Sequence, residues 1–154
     1  TYASSAASDV YKRQHMPLKA YKNMNAYKLF VLDVGLLGAM SELPAESILE
    51  GNDIFVEFKG ALTEQYVLQQ LISDTPYTPY YYGNEKATFE QDFLIQKAKS
   101  IVPIEVKAEQ NIRSHSLKTY CEKFQPEEAV RFSTLKYKEQ EWMVNIPLYA
   151  VCNL

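Results

Sequence analysis

Two cysteines, Cys121 and Cys152, are all that this 154-residue chain carries, and no short spacing joins them. A disulfide-stapled scaffold is excluded by that count; at most one bridge is open, and the usage fits a reducing, cytoplasmic compartment. No apolar run approaches the ~20 residues of a membrane-crossing helix. No GxxxxGK[ST] loop occurs, so the chain shows no nucleotide site of its own. Excess positive charge is missing as well: 16 Lys and Arg stand against 19 Asp and Glu, for a formal net charge of −3. A mildly acidic chain without a basic stripe is not a generic nucleic-acid coat, so any nucleic-acid contact must be local or metal-assisted. Internal repeats and low-complexity tracts are absent. What the chain does have is an ordinary apolar fraction, 47%, and a conspicuous 12 tyrosines. That is enough for one domain with a core that folds without staples.

The run "SSAASDVYKRQ", Ser4 to Gln14, has no apolar period and no link to the residues after it. Its end reverse-translates as GAT GTG TAT AAG AGA CAG, and the whole run resembles the translated adapter of a transposase-based sequencing library. Residues 1–14 are therefore expected to be a non-native scar or disordered tail that packs against nothing. Removing them takes out two basic residues and one acidic residue and moves the formal charge to −4.

Further on, "AYKLFVLDVGLLGAMSEL" predicts a strand at Lys28–Leu32 and a short helix capped by Asp33. "LPAESILEGN" predicts a helix begun after Pro44 and stopped at Gly51. "NDIFVEFKG" fits a strand or a helical lead-in equally well. "GALTEQYVLQQLISD" is the clearest helix, with Ala61, Leu68, Leu71 and Ile72 as its stripe and Glu64 and Gln65 on the same side. Tyr80–Tyr82 reads as a short strand between turns, one of them at "GN" after Tyr82. Its tyrosines suit half-buried strand packing better than base stacking. "SHSLKTYCEKF" predicts a helix with Ser114 or Ser116 as cap, "EEAVRFS" a strand at Ala129–Ser133, and "EWMVNIPLYAVCNL" a strand followed by a short apolar segment.

The chemistry-bearing stretch is "EQDFLIQKAKSIVPIEVKAEQ", Glu90 to Gln110. "DFLI" and "IVPIEV" read as strands of a hairpin turning at Ala98 and Lys99. Counting outward pairs Gln96 with Ile101, Ile95 with Val102, Leu94 with Pro103 and Phe93 with Ile104. Asp92 then faces Glu105 on the side opposite the Phe93 face, and Lys107 follows Glu105 about 7 Å further along. A slip by one residue would scramble both faces. Like charges set opposite each other are destabilising, so this register calls for something positive between them, either Lys107 or a divalent cation. A hard cation such as Mg²⁺ takes oxygen ligands and keeps several waters. A plain salt bridge of Lys107 with Asp92 or Glu105 is the alternative.

The helical Glu64, Asp92 and the "ExK" of Glu105 and Lys107 resemble the PD-(D/E)xK nuclease superfamily, whose core runs helix, three strands, helix, strand. More closely, "KLFVLDVGLLGAM", "KGALTEQYVLQQLI", "EQDFLIQ", "VPIEVKAEQ" and "HSLKTYCEKFQPEEAVRFS" resemble the C-terminal domain of unknown function that follows the ATPase module in many prokaryotic AAA-type ATP-binding proteins. The sequence departs from the family's habit in two places. "YYYGN" replaces a common Tyr-Trp pair, and "EQD" replaces an acidic-hydrophobic-Asp triplet. The resemblance implies an α/β fold with a restriction-endonuclease-like core at residues 59–154. Residues 15–58 would be an N-terminal strand-helix extension linking to an upstream ATPase module. It also implies Mg²⁺ or Mn²⁺ at Asp92, Glu105 and Glu64, with Lys107 as catalytic lysine.

Two functions are implied by that likeness. The first is a metal-dependent phosphodiesterase acting on nucleic acid, DNA being favoured, and coupled to the ATPase. The second is a non-catalytic regulatory or protein-interaction domain of that ATPase on the same scaffold. The remaining polar residues carry less. His15 comes directly after the adapter-like run. His115, just before a helix, suits a cap neighbour or a phosphate contact. Cys121 suits burial. Arg113, Lys118 and Lys123 suit either a solvated helix face or contacts with a nucleic-acid backbone.

Overall fold

Strand pairing begins close to the N-terminus in the computed structural model, which describes residues 4–10, 15–83, 89–108 and 113–154. Strand β1, Ser4–Val10, leads through a 3-10 turn at Leu18–Tyr21 into β2, Lys22–Val31. Three helices come next: α1 at Val34–Met40, α2 at Ala45–Glu50 and α3 at Asp53–Asp74. Then come β3, Tyr80–Tyr82, β4, Gln91–Lys97, and β5, Ser100–Lys107. Helix α4, His115–Phe124, precedes β6, Val130–Ser133, β7, Lys138–Glu139, and β8, Val144–Pro147, and a 3-10 segment ends the chain at Leu148–Asn153. The fold is mixed α/β. From α3 onward the order is helix, three strands, helix, three strands; α3 to β6 follow the expected order, and β7 and β8 extend it.

All eight strands form one sheet in the order β2-β1-β3-β4-β5-β6-β8-β7. The hairpin register is the expected one, with Phe93 opposite Ile104, Leu94 opposite Pro103, Ile95 opposite Val102 and Gln96 opposite Ile101. Its turn places Ala98 at φ 54°, a left-handed value that costs a side-chain-bearing residue some strain. Strands β5, β6 and β8 run parallel, α4 bridging the first two. Alternation then divides the core into two layers. Phe93, Ile95, Val102, Ile104, Val130 and Phe132 meet Val67, Leu68 and Leu71 of α3. On the other face Leu94, Ile101, Tyr80 and Tyr82 meet Tyr120 of α4, with Leu117, Ala129 and Met143 beside them. The tyrosines of β3 are thus core residues.

Local chemistry explains most helix ends. The Asp33 carboxylate accepts the Leu36 N–H at 2.8 Å and caps α1. Gly51 ends α2 in the left-handed region at φ 65°. "NDIFVEFKG" is the first part of α3, capped by Asn52, so that helix runs unbroken across the 58/59 boundary read from the sequence. Leu68, Leu71 and Gln65 are buried on the expected side, with Val67 beside them, while Ala61 and Ile72 of the expected stripe are exposed. Gln65 tolerates burial because its amide pairs like a peptide group. Its Oε1 accepts from Val31 N–H at 3.0 Å, and its Nε2 donates to Val31 O at 2.9 Å. That clasp ties α3 to the end of β2.

The N-terminal segment is a correction. Ser4–Val10 was expected to pack against nothing, yet it lies between β2 and β3, antiparallel to one and parallel to the other. The physical reason is that a ladder needs only backbone N–H and C=O groups, which the absence of an apolar period does not remove. Ser4–Val10 is a paired strand of the sheet; residues 1–3 and 11–14 lie outside the described ones. The turn expected at Asn84 and the landmark end at Glu109 and Gln110 lie outside them too. Deleting Thr1–Gln14 is therefore expected to lower the melting midpoint by at least ~5 °C, since ladder bonds carry net worth and 1 kcal/mol moves a domain this size by a few degrees. Thermal melting of both forms checks this, and an unchanged midpoint would show that the strand adds nothing.

Candidate active site

Asp92 stands one residue beyond the last β4–β5 ladder pair given by the register, at Phe93 and Ile104. There its Oδ2 accepts the Val106 N–H at 2.7 Å. The carboxylate thus takes a backbone donor of β5 and is fixed against that strand. Glu105 and Lys107 project from β5 on one side, two residues apart, and join in an ion pair of 2.6 Å between Oε1 and Nζ. The Glu105 side chain is only 5% exposed, whereas that of Lys107 is 32% exposed. Glu64 comes from α3, and its carboxylate pairs at 3.7 Å with Lys28 of β2.

Glu64, Asp92 and Lys107 line one cavity of about 450 Å³, along with Lys59 and Arg113. Glu105 does not line it; it sits behind Lys107. All four expected residues therefore lie in one neighbourhood, three on the cavity and one supporting its lysine. The competing salt bridge is also present, in the Glu105–Lys107 pair. Among the described residues, no three His, Cys, Asp or Glu side chains stand in a metal-ligand arrangement.

The electrostatics arise from burial. Desolvation pushes the Glu105 carboxyl above its ordinary 4.5; the Asp92 charge adds to the rise, and the hydrogen bond from Lys107 opposes it. Glu64 is raised by burial and then by Asp92, with Lys28 pulling the other way. Asp92 is raised by burial against the Val106 N–H, Lys28 and Lys107. For Lys107, burial acts downward, but the bond and charge of Glu105, with Asp92 and Glu64, outweigh it and leave a net rise.

The direction of the Glu105 shift has a measurable consequence. A carboxyl whose folded pKa lies above its unfolded value binds more protons when folded, so its contribution to stability falls as pH rises from the ordinary value of 4.5 through the raised one. Without divalent cation, the wild type is expected to lose melting temperature relative to Glu105→Gln as pH climbs from about 4 to 7. A widening gap in favour of the variant supports the assignment, and a gap that closes with rising pH contradicts it.

Lys28 and Arg131 were missed in the sequence. Arg131 is 4% exposed on β6, beside Glu105 in the parallel ladder and beside Asn145 on its other flank. Its Nε donates to Asn145 Oδ1 at 2.9 Å, and Ser133 Oγ donates to the same oxygen at 2.7 Å. Burial lowers the guanidinium and the Glu105 charge restores part of that loss. Cys121, by contrast, is inert by position: burial pushes its thiol up to about 11, and both cysteines are free.

This geometry sits in a chain whose relationship to known proteins is specific. Residues 59–150 match the model of the domain of unknown function DUF4143. The chain belongs to that family, in agreement with its resemblance to the C-terminal domain of AAA-type ATP-binding proteins. No curated protein and no solved structure matches it. Among the described residues, no helix is long and apolar enough to cross a membrane.

Proposed function

We propose that this domain is a divalent-metal-dependent phosphodiesterase acting on nucleic acid, DNA being the favoured substrate, with a restriction-endonuclease-like core. The observation that carries the reading is the gathering of Glu64, Asp92 and Lys107 on one open cavity, with buried Glu105 bonded to the lysine. Asp92 and Glu105, with Glu64, would hold Mg²⁺ or Mn²⁺. When bound, such an ion lowers the pKa of its water and offsets charge on a phosphoryl group. Lys107 contributes as a partly exposed ammonium fixed at one end by Glu105. Its remaining donors can orient a water or a non-bridging phosphate oxygen, stabilising charge as it develops. Glu64 holds Lys28 and adds negative potential at the cavity wall. The test is incubation of the purified protein with labelled single- and double-stranded DNA and RNA in Mg²⁺, Mn²⁺ or EDTA. Cleavage with metal and none with EDTA supports the reading; none under any condition defeats it.

A second reading rests on a separate observation. Leu49 is 86% exposed, and Ile48, Ile54 and Val56 of α2 and early α3 are exposed beside it in sequence. Exposed apolar side chains grouped in this way suit a protein partner. In this reading the domain regulates an ATPase module of a longer chain through that surface, and the site is scaffold.

A further inference from the structure

A second cavity, about 440 Å³, opens at the start of α4. Arg113, His115, Lys118 and Arg131 line it, and among the described residues no acidic one does. In a chain of net charge −3 this is a local concentration of cationic groups. The first turn of α4 contains no acidic residue, and Ser114 at the N-cap makes no capping hydrogen bond. Its hydroxyl instead accepts from Arg131 Nη1 at 3.4 Å. The positive end of the helix dipole is therefore offered to the cavity rather than neutralised by a side chain. Two carboxylates compete among the described residues: Glu122 pairs with Lys118 at 3.8 Å on an exposed face, and Glu105 lies beside Arg131 in the parallel ladder.

Two further features narrow the ligand. Trp142 forms part of the wall while its other side packs against the cluster of Leu117, Ala129 and Met143. An aromatic ring beside a basic groove suits a nucleotide chain, whose bases or sugars rest on the ring while its phosphates meet the cations. Arg113 lines both this cavity and the one holding Glu64, Asp92 and Lys107. The two cavities therefore adjoin at one arginine.

We propose that this cavity is a phosphate-backbone subsite for single-stranded nucleic acid, holding the strand beside the carboxylate site. The role given to the neighbouring site rests on the nuclease reading. Binding at the subsite itself needs neither metal nor turnover, so the two can fail separately.

Trp142 is the sole tryptophan of the chain, so its fluorescence reports this cavity alone. In EDTA, titration with a thymidine 12-mer is expected to change Trp142 emission saturably, with inorganic pyrophosphate competing. The double variant Arg113→Glu/Lys118→Glu, both at exposed positions, is expected to weaken binding at least tenfold. It should also flatten the dependence of log affinity on log salt by about 1.4, the value for two phosphates on a single strand. The control Lys22→Glu/Lys99→Glu, with the same charge change on distant exposed lysines, should shift affinity less than twofold. An unresponsive Trp142, equal losses in control and double variant, or tighter binding of a phosphopeptide than of the 12-mer overturns the subsite. Metal-dependent cleavage with an unresponsive Trp142 removes the subsite alone. Selective loss of binding without cleavage by any form keeps the subsite and removes the nuclease reading.

Discussion

Glu105→Gln is expected to reduce Mg²⁺-dependent cleavage by at least ~10²-fold, because several kcal/mol of transition-state stabilisation depend on the metal that this carboxylate helps to hold. The same change should leave the folded state within ~1 kcal/mol of wild type. Glutamine keeps the volume of a side chain that is almost wholly buried. It removes one member of a repelling carboxylate group. The lysine it releases is about a third exposed and can be solvated. Lys107→Ala should reduce turnover on the order of 10²- to 10³-fold, the range for losing one preorganised donor. Metal binding should survive, read as a Mg²⁺-dependent rise in melting temperature that Glu105→Gln weakens. A structural ion pair without chemistry gives the opposite pattern. Lys107→Ala would then cost about 3–5 kcal/mol by leaving the buried Glu105 carboxylate unpaired, with no cleavage by any form. Urea unfolding and a cleavage assay on the same three proteins decide between these patterns.

The positions behind this expectation were legible in the sequence because they depend on local rules. A two-residue turn and an alternating apolar face fix the hairpin from Lys97–Ser100 to Phe93–Ile104; Asp92 lies one residue past that ladder, and Glu105 and Lys107 follow on β5. The helix ends at Asp33 and Gly51 were legible for the same reason, since a carboxylate cap and a left-handed glycine act within a few residues. What escaped depends on distant partners. Ser4–Val10 carries no side-chain pattern, and its strand exists because β2 and β3 leave room for a ladder between them. Ala61 and Ile72 looked like core by spacing alone, yet both are exposed, and Val67, outside that spacing, is buried. Lys28 meets Glu64 only after β2 and α3 have docked. Arg131 sits between Val130 and Phe132, which face the α3 layer, and nothing in "AVRFS" says that its own face is buried as well.

Arg131 accordingly carries the largest expected effect on stability. It lies almost fully buried between Glu105 on one neighbouring strand and Asn145 on the other. Its Nε–Asn145 bond closes a polar cluster with Ser133 and, through Asn145 Nδ2, with the carbonyl of Lys136 at 3.0 Å. Arg131→Ala removes the donor, leaves a cavity and deprives Glu105 of its nearest charge across the parallel ladder. A loss of about 3–5 kcal/mol in urea unfolding is expected, the range for breaking one side of a buried charge arrangement. Arg131→Met fills most of the volume, so the part of the loss it restores measures packing and the remainder measures charge. The charge part should depend on Glu105. In Arg131→Met/Glu105→Gln the carboxylate that needed the guanidinium is gone, and the double variant should be more stable than the sum of its single losses by at least ~1 kcal/mol. The same cycle built with Lys97→Met and Glu128→Gln, whose 3.0 Å pair is about one third exposed on both sides, should give a coupling well below that, as surface pairs do. A coupling near zero between Arg131 and Glu105 would show that the arginine is held by Asn145 and packing alone. The rise of the Glu105 carboxyl, set by burial and then by Asp92, would then be opposed by Lys107 and not by β6.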